Sequence, residues 1–333
     1  MSLNYIGSKA TLIPFIRETI YKTVGPDLSQ KVFADLFAGT GIVARSFNDE
    51  CKRVIANDTE YYSYVLLKHY LYRYIRDDLY QEFIDYLNNV DTTNYPNGFI
   101  FTHYCTGGGW GRNYFTNQNG LKIDAIRMRL NRMKNSDEPY YYYAGLASLL
   151  EAADKVANTA STYVSHLKHI KKTAQKPIWL ETLKVSGKTV NQVYNKDANS
   201  LVQNIEGDIL YLDPPYNTRQ YGAYYHVLET IARYDDFIPK GVTGQRNYYR
   251  SKYCEKKDAE RALDALLNNA RFKYIFLSYN NEGIIPIDTI RKILSKYGKY
   301  DVVSTPHKRF KQDATCVKRP DNTLEYIHIL EKK

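Results

Sequence analysis

Long apolar runs are missing from these 333 residues. No stretch approaches the ~18–20 apolar residues of a membrane span. Cysteine is scarce. Cys51, Cys105, Cys254 and Cys316 lie far apart and form no Cys-x-x-Cys pair, which excludes a zinc knuckle and a disulfide framework. His103, next but one to Cys105, has no further ligand types nearby and is read as structural. No Gly-Lys-Ser/Thr follows a glycine turn, so a P-loop is excluded. No His-x-Glu is paired with Pro-Cys-x-x-Cys, so a zinc deaminase is excluded too. The first residues lack the basic-then-apolar pattern of a signal peptide, and the expected location is cytoplasmic. Negative charge is also in deficit. Lys+Arg number 46 against 36 Asp+Glu, a net of +10, and tyrosine supplies 33 of the aromatic side chains. A basic, tyrosine-rich surface suits a polyanion with stackable bases, and equally fits a plain compositional bias.

What is present is an α/β alternation with an interruption. Val32 to Phe37 is an apolar run that enters Ala38-Gly39-Thr40-Gly41, as a buried strand enters a glycine turn. Ile42 to Asn48 is expected to be helical, Arg53 to Asn57 a second strand, and 60–76 and 78–88 two tyrosine-rich helices. The turn-rich stretch 91–98 breaks this pattern. Beyond it, Phe99 to Cys105 is expected as a strand and 106–111 as a flexible tip. Leu121 to Lys134 is expected as a basic helix with Ile123, Ile126, Leu130 and Met133 on one face, and Tyr140 to Ala160 as another helix. Alternation resumes near Val190, with strands expected at 208–212, 274–278, 300–304 and 324–330. The fold class is therefore α/β, a doubly wound sheet with a mainly helical insertion. Residues 1–90 and 191–333 are assigned to the sheet domain and 91–190 to the insertion. From Asp91 to Lys196 there are 14 Lys/Arg and 7 Asp/Glu, so most of the excess charge sits in the interruption.

Two motifs carry chemistry. Gly39-Thr40-Gly41-Ile42-Val43-Ala44 satisfies G-x-G-x-x-A after a strand, with Asp58 at the end of the next strand. Glycines let the backbone approach a ligand, and the carboxylate accepts from ribose hydroxyls. That geometry serves NAD and S-adenosylmethionine alike. Asp213-Pro214-Pro215-Tyr216 follows an apolar strand at the end where α/β sites are built. A ring-bound amine is a poor nucleophile because its lone pair is delocalised. A carboxylate from Asp213 and the carbonyl of Pro214, both accepting from one NH₂, would free that lone pair, and Tyr216 offers a face for a base.

The set Asn4-Tyr5-Ile6-Gly7-Ser8-Lys9, Asp35-Leu-Phe-Ala-Gly-Thr-Gly41, Asn57-Asp58 and Asp213-Pro-Pro-Tyr216, in this order, resembles the Dam-like (α-type) DNA adenine-N6 methyltransferases. The resemblance implies an S-adenosylmethionine-dependent methyltransferase sheet in which 91–190 recognises the target. It implies that Tyr5 and Lys9 contact the cofactor, Lys9 near its carboxylate. Asp35, Phe37, Gly39 and Gly41 would line it, Asp58 would hold the ribose, and Asp197-Ala198 would meet the cofactor adenine. Asp213, Pro214 and Tyr216 would hold an adenine flipped out of duplex DNA, with no metal. A cognate restriction endonuclease is the implied partner. Candidate DNA contacts are Arg112, Gln118, Arg127, Arg219, Arg246, Arg250 and Arg309, since arginine meets phosphate or guanine and glutamine reads adenine. On the residues alone, an RNA adenine or cytosine-N4 methyltransferase remains open, as do an NAD-dependent oxidoreductase and a DNA-binding regulator.

Overall fold

Phe33-Ala34 and Ile209-Leu210-Tyr211-Leu212 are apolar without alternation, the mark of strands covered on both faces. In the computed structural model they lie at the centre of a seven-stranded sheet. The structure describes residues 3, 5–72, 76–93, 97–134, 139–185, 190–308 and 322–333. Two compact units are present. The first comprises Gly7–Thr59, Ser186–Tyr221 and Tyr249–Lys333; the second comprises Met1–Ile6, Glu60–Val185 and Gly222–Tyr248.

The sheet unit holds β1 (Val32–Asp35), β2 (Arg53–Asn57), β3 (Gln192–Tyr194), β4 (Glu206–Leu212), β5 (Arg271–Asn280), β6 (Gly298–Lys308) and β7 (Asn322–Lys332). Their order is β3-β2-β1-β4-β5-β7-β6. The first five are parallel, and β7 runs antiparallel to both β5 and β6. Strand order therefore reverses between β1 and β4, which is where ligands bind in doubly wound sheets. The register there sets Asp35 beside Tyr211. One face is covered by helix Ala259–Asn269, through Leu263, Leu266 and Leu267, and by helix Ile287–Ser295, through Ile290, Ile293 and Leu294. These apolar residues recur at three- and four-residue spacing, one stripe of a helix. Each such leucine buried stabilises the fold by roughly 1.5–3 kcal/mol.

The helical unit extends beyond the expected insertion on both sides. Helix Tyr61–Leu71 packs on helix Pro139–Lys155, and helix His226–Arg233 packs on both. The Glu229 carboxylate accepts from the backbone N–H groups of Tyr61 (3.1 Å) and Tyr62 (2.9 Å), capping the first of these helices. Residues 60–88 and 222–248 thus share a core with the middle segment, although the charge pattern separates them from it.

Phe99 to Cys105 corrects one expectation, because Phe99–Tyr104 is a helix. Its first free N–H groups, on Ile100 and Phe101, donate to the Asp124 carboxylate at 2.9 and 2.8 Å. A cap supplied by a residue far along the chain overrides the β-propensity of Phe-Ile-Phe-Thr. After Lys155 the chain runs without regular structure to Val185. Amides hold it: the Asn158 side chain donates to the Asn113 and Leu167 carbonyls, and Asn88 bonds the backbone of Leu180 in both directions.

Candidate active site

The glycine turn after β1 is built as its sequence requires. Gly39 and Gly41 have φ of +53° and +80°, the left-handed region that glycine enters without a Cβ clash. The Gly41 N–H donates to the Ala38 carbonyl at 2.7 Å. At the end of β2, Asp58 accepts from the Gly39 N–H at 2.8 Å. Asn57 donates to the carbonyls of Leu36 and Lys196 and accepts from the Lys196 N–H, each at 3.0 Å. One amide thus ties together the segments that follow β1 and β3. That role of Asn57 carried no signal in the sequence.

Asp35 ends β1 and is 1% exposed. Burial, and then the negative charge of Asp213, push its carboxyl well above the usual range, against backbone N–H donors from Phe37 and Ala44. Its Oδ1 has no hydrogen-bond partner. A buried, orphaned carboxylate oxygen suits a cationic ligand group. Phe37 lies edge-on to Tyr253, with ring centroids 5.1 Å apart. Asp197 caps the short helix Ala198–Leu201 by accepting from the Ser200 N–H, and its other oxygen accepts from the Tyr249 hydroxyl at 2.6 Å. Ala198 is buried in the sheet core.

Asp213 follows β4 directly. Its Oδ1 is 3.1 Å from Lys9 Nζ, which also lies 3.6 Å from Glu325 Oε2 on β7. Burial pulls the Lys9 ammonium toward neutrality, but Asp213 and Glu325 together outweigh it and hold its pKa well above the ordinary value. Asp213 itself is pushed up to about 6, first by burial; Lys9 opposes the rise and Glu325 adds to it. Pro214 is buried. The Tyr216 carbonyl accepts from the Ile284 N–H at 2.8 Å, and its ring meets Tyr279 edge-on at 6.0 Å. The Lys9 ammonium lies 5.8 Å from the Tyr216 ring centre. The loop that follows is pinned: the Gln220 side chain donates to the Ser251 carbonyl and accepts from its N–H. Lys9, Asp35, Phe37, Gly39, Gly41, Asp58, Asp197, Ala198 and Asp213–Tyr216 all belong to the sheet unit. Tyr5 belongs to the helical unit, where it stacks on Tyr225 at 4.9 Å.

The arginine expectations divide. Arg127 is fully buried, bonds Asn131, and lies over the rings of Tyr142 and Tyr234. Arg112 is buried and gives its guanidinium hydrogens to the carbonyls of His103, Gly241 and Val242. Arg246 is buried in a two-bond pair with Asp235. Arg112 and Arg246 are held by partners inside the protein, and Arg127 is enclosed with its Nε and Nη1 left without a hydrogen bond, so burial corrects the assignment of all three to DNA contact. Gln118, Arg219 and Arg250 are exposed. Arg309 lies outside the described residues, as does most of the basic stretch 307–311.

Comparison with known proteins gives the chemistry. Residues 5–293 match the model of the D12 class N6 adenine-specific DNA methyltransferases. The type II methyltransferase M.NlaIII of Neisseria lactamica is 52% identical, over 99% of both chains. M.CviAII of Paramecium bursaria Chlorella virus 1 is 38% identical, over 95% of this chain and 94% of its own. M.FokI of Planomicrobium okeanokoites is also 38% identical, over 99% of this chain but 53% of its own length. These matches make it an S-adenosylmethionine-dependent enzyme, and the chain belongs to the D12 class N6 adenine-specific DNA methyltransferase family.

Proposed function

We propose that this enzyme methylates adenine N6 within one defined sequence of duplex DNA, in the cytoplasm, as the modification half of a restriction-modification pair with a cognate endonuclease. The observation that carries the site reading is the register of β1 and β4. It sets the glycine turn and Asp213 at the same end of two adjacent parallel strands. A cofactor held by the first therefore lies next to a base held by the second.

S-adenosylmethionine supplies a methyl group activated by its sulfonium. Gly39 and Gly41 let the backbone close on this ligand, and the Asp35 carboxylate meets its cationic part. Asp58 would bond the ribose, Phe37 would line the methionine and ribose, and the Asp197-Ala198 turn would bound the adenine. The target base is flipped out of the duplex, at a cost of a few kcal/mol. Asp213 and the Pro214 carbonyl accept from its NH₂, and Tyr216 stacks on the ring. With the cofactor bound, the freed lone pair would attack its methyl carbon. An N–C bond would form as the S–C bond breaks, S-adenosylhomocysteine would be the leaving group, and the amine would give one proton to water. The chain contributes orientation and electrostatics. Exposed Gln118, Arg219 and Arg250 are the side chains proposed to meet DNA.

Purified protein with labelled S-adenosylmethionine and mixed-sequence duplexes is expected to place label in N6-methyladenine at one motif. Label in N4-methylcytosine, or in RNA alone, overturns the reading. Asp213→Ala is expected to lower transfer at least about a hundredfold, as loss of a transition-state contact does, with cofactor affinity nearly unchanged. Full transfer by that variant removes Asp213 from the chemistry.

A further inference from the structure

Glu325 lies on β7 opposite Asn280 of β5 and is 4% exposed. Its neighbours along the chain, Thr-Leu before and Tyr-Ile-His after, give no catalytic motif. A buried, unpaired carboxylate costs several kcal/mol, so a strand keeps one only where a positive charge answers it. Lys9 answers this one at 3.6 Å, and Glu325 Oε2 makes no hydrogen bond. The same ammonium stands 3.1 Å from Asp213. The charged and titratable groups that face Asp213 are Lys9 from the N-terminal segment, Glu325 from β7, Asp35 from β1, Tyr211 from β4 and Tyr216 beside it. Among the described residues Lys9 is the one cation in that set, and it is shared between carboxylates from two elements.

We propose that Glu325 is a positioning residue for methyl transfer, holding the Lys9 ammonium between two carboxylates so that Asp213 is oriented yet keeps acceptor capacity for the target amine. The proposal rests on the reading of Asp213 as the group that holds the base. Without Glu325, Lys9 pairs with Asp213 alone. The ammonium then competes with the target NH₂ for the carboxylate oxygens. Removing the second negative charge also makes Asp213 easier to ionise. A role confined to packing has neither consequence.

The test is the pH dependence of single-turnover methyl transfer in Glu325→Gln, with saturating S-adenosylmethionine and duplex. The acid limb of the profile is expected to move to lower pH by about half a unit or more. The plateau rate is expected to fall at least about threefold, with cofactor affinity unchanged. An acid limb that stays in place, with or without loss of rate, overturns the proposal. Should Glu325→Gln melt at the assay temperature, Glu325→Asp keeps the charge but withdraws it by one methylene. That variant is expected to keep the limb and lose rate, and a wild-type plateau in it overturns the proposal. Full transfer by Asp213→Ala is a different failure. It sinks the reading of Asp213 itself, whatever Glu325 does.

Discussion

Asp213 is held in a state that its folding does not favour. Burial is the main reason its carboxyl is pushed up to about 6, and the Lys9 ammonium recovers only part of that cost. A group whose folded pKa is raised adds stability below its unfolded pKa, and that contribution is lost as pH rises through the folded value. For Asp213 the window runs from roughly pH 4, the ordinary carboxyl value, to about 6. Asp213→Asn is therefore expected to be more stable than the wild type at pH 8, by about 1–3 kcal/mol. The two are expected to converge near pH 4, as thermal melts of both proteins across this range will show. Catalysis has the opposite sign. The NH₂ of the target needs an acceptor, so transfer is expected to rise with pH through about 6 and then level. Stability and rate pull apart at this one carboxylate, as they do where a site is strained for function.

Among the elements, the tip at 106–111 is built to display a ring. Gly109 and Gly111 have φ of +84° and +66°, so the backbone there takes a shape that a β-branched or bulky residue resists. Trp110 between them is 58% exposed, and the buried Arg112 guanidinium lies 5.4 Å from its ring centre. Three carbonyls fix that guanidinium, so the indole stands on a rigid base. Trp110→Ala is expected to weaken duplex binding about five- to a hundredfold by loss of a stacking face, of the order of 1–3 kcal/mol. Cofactor affinity should be unchanged. Fluorescence anisotropy with a labelled duplex measures the first and calorimetry the second; a Trp110→Ala enzyme with wild-type duplex affinity denies the tip a role on DNA.

The same scale shows what a sequence can and cannot disclose. β1, β2 and β4, the glycine turn and Asp-Pro-Pro-Tyr were legible because each is specified by contiguous residues: an apolar run, then glycine or proline where the backbone must turn. The helix Phe99–Tyr104 was not, because its cap is the carboxylate of Asp124. Arg127 looked like one member of a basic face. It is the member that turns inward, toward tyrosines on other helices that local pattern cannot place. Glu325 was missed for a related reason. Nothing beside it in sequence hints at Lys9, and only the antiparallel placement of β7 next to β5 brings it to the site.

For the whole molecule, the net charge of +10 has to be divided by location. Arg112, Arg127 and Arg246 are buried within the helical unit and do not add to its exposed charge. Exposed cations release counterions from DNA, and each phosphate contact adds about 0.9 to the slope of log affinity against log salt. Arg219→Ala and Arg250→Ala are each expected to flatten that slope by about one contact. Arg127→Ala is expected to leave the slope alone and lower the melting temperature, because it empties a buried aromatic cage. Salt titrations of the three variants on one duplex separate the two classes. An Arg127→Ala slope that falls as far as the others would return this residue to the interface.

Lys9 and Glu325 meet at Asp213 from opposite reaches of the sequence, and that meeting has a consequence in time. A β-α-β segment carrying the glycine turn closes over a short span of chain, and ordering it costs little loop entropy. The ion triad closes only when the final antiparallel strand has docked beside β5 and Lys9, from the far side of the sequence, has come to meet it. During refolding, then, the ability to hold S-adenosylmethionine should return before the ability to transfer its methyl group. The enzyme would pass through a stage in which it is loaded but silent.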